Sequence, residues 1–542
     1  MADPFSTSPS SSMAGTFLKS SPIYNEMALQ TVRATAEMIL TAQAYVNGAW
    51  SNYFEFMAPY WLASRYFQEV EKQKILETAP HETAHAYLEL LDFNIRIAQK
   101  GTLGTMRALN RFHANEMGNW FSAWLNTLFQ QEGKDILQNS VRLSRLVDVL
   151  VKEYPKAIRE IEPRFGFHFD DGGYIKVAET DRFCLYQVLP WRGCAEVRST
   201  GKPVLVIPPY VLGASILAFL PGENKSYTHC FANQGIPTYI RIMKDIHAHE
   251  AVQTMTGEDD CLDTKYFCAI IRRRHGKEVT LNGFCQGGYV AVMSLLSGEL
   301  DGLVDAFITC VAPMDGTRSR ALVKYIELLP PRFRDLVYAV KTLPNGNEVI
   351  DGHVMSWVFK LKSIEEEAPL VTFHRDLDMF SRQGDGPFQI TPTAAALNYW
   401  LIYERNDLPV ELTRLSFDSY TKPVTADGTL PVKLFGRSLN FKRIQEKGIP
   451  WLLCYAAEDN LVDRDSALAP ADFIDVEVTE FPRGHGAIAT SWSLPTSECA
   501  LHKRFRGGQR GPIRFHLDLE GTVDSPCHAG ETEGWQENFR NP

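Results

Sequence analysis

No part of this 542-residue chain approaches the roughly 20 consecutive apolar residues of a spanning helix. The longest apolar run, VLGASILAFL at 211–220, is half that length, so no transmembrane segment is expected. The N-terminus, MADPFSTSPSSSMAGTF, is rich in serine and lacks the apolar core of a signal peptide. Basic charge is not in surplus: 55 Lys and Arg face 65 Asp and Glu, a net charge of −10. That balance argues against a nucleic-acid partner needing a broad cationic face. The ten cysteines form no Cys-X-X-Cys pair and no small-domain framework, which suits a reducing cytoplasm. One close histidine pair, His247 and His249 in DIHAHE, has no evident third ligand and reads as a solvated loop. No metal or cofactor is expected.

What is present is a core-forming chain, 45% hydrophobic, long enough for more than one domain at roughly 150 residues each. Residues 1–22 read as disordered. A helical N-terminal domain is expected over 23–175, where Leu29, Val32, Ala36, Ile39, Val46 and Trp50 step by threes and fours. Ala84, Leu88, Leu91, Ile95 and Ala98 repeat the step, Gly101 reads as a helix stop, and Trp120, Ala123, Trp124 and Leu128 begin another stripe. Such stripes are usually core; the alternative is a surface for a partner or a hydrophobic particle.

From about 180 the rhythm changes to short apolar runs: CLYQVL, PVLVIP, PTYIRI, EVTLNGF, DAFITCV, PWLLCY and DVEVTEF. Nearly continuous β-branched runs alternating with helical patterns indicate an α/β fold with a buried, mostly parallel sheet. The catalytic domain is expected over 176–491. Strand rhythm stops over about 318–445, a stretch rich in proline and aromatics that reads as a cap over the site. A loose tail is expected over 492–542.

The chemistry gathers around LNGFCQGGYV at 281–290. Gly283, Cys285 and Gly287 make G-x-C-x-G, with Gly288 behind, between a strand candidate and a helix candidate. This is the spacing of the nucleophile elbow with sulfur at the tip. A thiol needs a base, and the base needs an orienting acid. His485, between glycines, and Asp459 each follow a later strand candidate, in the order nucleophile, acid, base. Asp315 is the rival acid, while Asp463 and Asp465 read as helix-start residues. Two N–H donors should face the oxyanion. Gln286 follows the nucleophile; Pro208 and Pro209 have no N–H, which leaves Tyr210 or Val211 for the second.

These segments resemble the polyhydroxyalkanoate synthases, most nearly the single-subunit type. GFCQGG is similar to the family's lipase-like box, PVLVIPPY to its upstream strand, EDNLV at 458–462 to its acid motif and GHGAIA at 484–489 to its histidine motif. The resemblance covers roughly 180–490. It implies an α/β-hydrolase fold with a cap insertion and a helical N-terminal domain. It also implies polymerisation of (R)-3-hydroxyacyl-CoA through an acyl thioester on Cys285, with Asp459 and His485 as acid and base. The family works in the cytoplasm at the polyester granule surface, often as a homodimer. A thiol hydrolase, such as a thioesterase or depolymerase, is the alternative on the same fold. Gln286, Asn460 and the stretch IMKDI depart from the family's pattern.

Overall fold

The structure, a computed structural model, describes residues 10–129, 132–193, 195–383, 386–491, 494 and 496–500, with side chains from residue 28 onward. The strands in chain order are β1 (Tyr174–Glu179), β2 (Phe183–Val188), β3 (Val204–Ile207), β4 (Thr238–Met243), β5 (Val279–Phe284), β6 (Val304–Cys310), β7 (Val340–Thr342), β8 (Glu348–Ile350), β9 (Leu408–Pro409), β10 (Thr429–Leu434), β11 (Arg437–Asn440), β12 (Trp451–Ala456) and β13 (Glu477–Phe481). Eight of them form one sheet in the order β1-β2-β4-β3-β5-β6-β12-β13. Within it only β2 runs against the others. That order, with the elbow after the fifth strand, is the α/β-hydrolase fold. β3, β5 and β12 are buried along their whole length, as the unbroken apolar runs required.

The chain divides into two compact units. The helical unit comprises Met1–Ala58, Ile95–Arg159 and Ser363–Thr391, and the sheet belongs to the other, Pro59–Asn94, Glu160–Lys362 and Pro392–Pro542. This division differs from a single boundary near 175. The middle stretch 59–94 is tied to the sheet unit by buried polar contacts. Tyr66 donates to Asp351 (3.0 Å), and Glu71 accepts from Tyr87, Tyr338 and Arg332, each at 2.7 Å.

The first helix runs Ser10–Glu77, so 10–22 is helical rather than the disordered start expected there; residues 1–9 lie outside the described residues. The second helix runs Pro80–Phe129, straight through Gly101. Gly101 is not a stop because it and Gly104 are sites of close approach to the helix at Ile364–Glu367. A Cβ on Gly101 would lie 3.1 Å from Ile364, and one on Gly104 only 2.0 Å from the Glu365 carbonyl oxygen. The buried positions of the first helix within this unit are small: Ala34, Thr41 and Gly48, seven residues apart. The apolar stripe is not core. Val32, Ile39 and Trp50 are 67%, 65% and 55% exposed.

The expected cap over 318–445 is likewise divided. Its strands β7, β8 and β9 form a small sheet, β10 and β11 a hairpin, and its piece 363–391 belongs to the helical unit. Leu430, Val432, Leu434 and Leu439 of the hairpin, with Phe441 and Ile444, lie in the main core of the sheet unit. Those residues are foundation, not cap. Most of the expected tail, 501–542, lies outside the described residues.

The close-approach account yields a paired test. Gly104→Ala should destabilise the protein by about 1–3 kcal/mol, the usual cost of overpacking. Gly118→Ala, with nothing within 4 Å, should instead stabilise the helix by about 0.5–1 kcal/mol. Urea unfolding of both variants checks the order; equal midpoints would contradict it.

Candidate active site

Cys285 sits between β5 and a helix, Gln286–Ser297, at φ 52° and ψ −126°, a conformation few non-glycine residues adopt. Its neighbours explain how the turn closes. A Cβ on Gly283 would lie 2.4 Å from Gly288 Cα, one on Gly287 would lie 2.4 Å from the Pro208 carbonyl oxygen, and one on Gly288 would lie 2.5 Å from Ala312. All three elbow glycines are therefore required sterically. The Cys285 N–H donates to the Cys310 carbonyl at 2.8 Å, which ties the elbow to β6. The amide of Gln286 opens the following helix, where N–H groups lack intrahelical acceptors and the positive end of the dipole lies.

The loops after β12 and β13 bring acid and base together. Glu458 N–H donates to the Arg483 carbonyl at 3.0 Å, and Arg483 takes φ 71° just before His485. His485 Nδ1 and Asp459 Oδ2 are 2.7 Å apart, and Cys285 lies near enough to influence the charge of the imidazole. With Nδ1 on the carboxylate, Nε2 is the nitrogen left for the thiol. The other Asp459 oxygen accepts from the amides of Leu461 (2.9 Å) and Val462 (3.0 Å). Burial alone would raise the Asp459 pKa, but His485 and these amides outweigh it and hold the carboxyl below its ordinary value. Burial would lower the His485 pKa, yet Asp459 and Cys285 raise it well above the ordinary imidazole value.

Asp315 does not join this pair. It caps the turn Gly316–Arg318, accepting from Thr317 N–H (3.2 Å), Thr317 Oγ1 (2.6 Å) and Arg318 Nε (3.1 Å). Asp463 and Asp465 lie at the start of the helix Arg464–Ala467 and engage Arg320. His247 pairs with Asp407 at 2.9 Å and His249 with the Asp245 carbonyl at 3.0 Å.

Tyr210 and Val211 leave the end of β3 beside the elbow, since Gly287 packs on the carbonyls of Ile207 and Pro208. Sequence reasoning missed Tyr420. It comes from the helix Val410–Thr421, inside the expected cap, and its ring lies against Gly316, where a Cβ would be 2.4 Å away. Burial, then the charges of Cys285 and Asp459, raise its pKa well above 10, so the phenol stays neutral. A single tyrosine in SFDSYT carries no local signal for that position.

No family model matches the chain, and neither does any curated protein. Solved structures similar to it include an alpha/beta hydrolase fold protein from Chitinophaga pinensis, 11% identical, covering 60% of this chain and 94% of that one (TM-score 0.29). Est1E from Butyrivibrio proteoclasticus is 10% identical over 58% and 91% (TM-score 0.29). A 2-hydroxy-6-oxo-6-phenylhexa-2,4-dienoate hydrolase from Rhodococcus is 9% identical over 59% and 94% (TM-score 0.30). The α/β-hydrolase assignment rests on the strand order and the elbow.

The opposing influences on His485 give a titration test. Asp459→Asn removes the largest influence that raises its pKa and leaves burial, which lowers it. The imidazole should then lose its proton at lower pH than in the wild type, as read by NMR of labelled histidine. An unchanged titration would contradict the pairing.

Proposed function

We propose that the protein is an acyltransferase that polymerises (R)-3-hydroxyacyl-CoA into polyhydroxyalkanoate and releases CoA. The observation that carries this reading is a cysteine, rather than a serine, at the tip of an α/β-hydrolase elbow and in reach of a His485–Asp459 pair. Exchange of one thioester for another is nearly balanced, so sulfur keeps the acyl group activated for a second transfer.

In the first half-reaction His485 takes the thiol proton while Cys285 Sγ attacks the thioester carbon. The carbon–sulfur bond to CoA then breaks, and the departing CoA sulfur takes the proton from His485. In the second half-reaction the hydroxyl of another hydroxyacyl unit gives its proton to His485 and attacks the acyl carbon. The bond to Cys285 breaks, and the proton returns to its sulfur. The Gln286 N–H and one from Tyr210 or Val211 hold the oxyanion in each step. Asp459 orients the imidazole and stabilises its charged form.

The helical unit supports a place for this activity at a polyester granule surface in the cytoplasm. Val32, Ile39, Phe54, Met117 and Phe121 all present large apolar side chains to solvent there. Among the described residues, no helix is long and apolar enough to cross a membrane.

Purified protein supplied with (R)-3-hydroxybutyryl-CoA should release thiol and leave material that methanolysis identifies as polymer. Stoichiometric free 3-hydroxybutyrate without oligomer would assign the hydrolase reaction instead, and absence of thiol release would remove the enzymatic reading. In the same assay Asp459→Asn should lower turnover by roughly 10⁴ on triad precedent. Asp315→Asn keeps a capping oxygen and chiefly weakens the ion pair with Arg318, so it should lower turnover far less. The reverse ranking in folded protein would put the acid elsewhere.

A further inference from the structure

The loop that follows β3 is held from inside the core by an ion pair that the chemistry above does not use. Arg241 of β4 and Asp260 of the helix Gly257–His275 are both fully buried, 2.9 Å apart at Nη2 and Oδ2. Arg241 Nη2 also donates to the Tyr210 phenol at 2.5 Å, Nη1 donates to Thr264 at 2.6 Å, and the phenol in turn donates to Asp260. The guanidinium lies over the Phe183 ring, 4.1 Å from its centre, and its Nε has no partner among the described residues. A buried ion pair is a poor way to gain stability, because desolvation offsets most of the attraction. Its particular feature here is that it takes in the side chain of a loop residue next to the elbow.

The same loop is also held, through its backbone, by Asn406. Its side-chain amide donates to the Tyr210 carbonyl and its backbone N–H donates to the Val211 carbonyl, both at 3.2 Å. Trp400 Nε1 donates to the Leu212 carbonyl at 2.8 Å. In a trans peptide the carbonyl and the next N–H point to opposite sides, and there are no cis peptides among the described residues. Fixing the Tyr210 carbonyl on Asn406 therefore turns the Val211 N–H away from Asn406.

We propose that Arg241 and Asp260 are positioning residues that clamp the Tyr210 phenol while Asn406 holds its carbonyl, and so aim the Val211 N–H at the carbonyl oxygen of the acyl group on Cys285. This rests on the acyl-transfer reading and sharpens it, selecting Val211 over Tyr210 as the second oxyanion donor. The ion pair acts through Tyr210 and touches no substrate.

Two reactions of Cys285 separate this role from a structural one. Alkylation by iodoacetamide reads the thiol and its base but develops no oxyanion. Acylation by p-nitrophenyl butyrate needs the donors. Tyr210→Phe keeps the ring and removes only the phenolic oxygen; Asn406→Leu frees the Tyr210 carbonyl. In each folded variant acylation should fall about tenfold to a hundredfold, the scale of a small misplacement. KM and the alkylation rate should stay within about threefold, an assay tolerance set against the loss expected for a misaimed donor. Equal losses in both reactions, or none in either, in both variants would overturn the proposal while leaving acyl transfer intact. Wild-type protein that is alkylated but never acylated would overturn acyl transfer itself, and this inference with it.

Discussion

A cysteine held at positive φ between glycines can exist only where the chain has room for nothing larger than hydrogen at the surrounding positions, and much of the site follows from that. Gly283 gives way to Gly288, Gly287 to the end of β3, and Gly288 to Ala312 beyond β6. Through these three contacts the elbow fixes the distance between the nucleophile, the β3 loop and the β6 loop. Backbone strain of this kind costs about 1–3 kcal/mol and persists only where the surroundings over-determine it. Here the hydrogen bond from the Cys285 amide to β6 and the burial of β5 on both faces do so.

Electrostatics then completes what the backbone places. Asp459 is buried yet its pKa is held low because three donors meet it, and the effect of burial on His485 is outweighed by Asp459 and Cys285, which raise its pKa. Asp315 is a carboxylate whose side chain is as buried as that of Asp459 and which also follows a strand, but its oxygens are committed to Thr317 and Arg318. What separates the two is which loops lie beside them, a matter of sheet order. Tyr420, from a segment far along the chain, adds a phenol whose pKa burial and the charges of Cys285 and Asp459 raise.

How much of this could be read beforehand follows from the range of each constraint. The elbow was legible because its steric rule spans six residues, the strands β3 to β6 and β12 because burial on two faces leaves nearly unbroken apolar runs, and β2 and β13 because burial alternates along them. The edge strand β1 was missed since YIKVAE is largely exposed and lacks such a run. Inside 318–445, β7, β8 and β9 are two or three residues long, while Pro431 in β10 and the polar residues of β11 break any apolar run. In the helical unit the stripe correctly marked one face of a helix but not which face was covered. Ala34, Thr41, Gly48, Gly101 and Gly104 do the packing there, and small residues leave little hydrophobic signal. Tyr420 and Asn406 reach the site only through tertiary structure.

The central claim is that one thiol, Cys285, carries the acyl group while the other cysteines do not. The protein should be quenched in acid during reaction with a slowly transferred 3-hydroxyacyl-CoA analogue, digested, and mapped by mass spectrometry. The account predicts an acyl adduct on the peptide containing Cys285 and its loss in Cys285→Ala. An adduct on another cysteine, retained in Cys285→Ala, would contradict it.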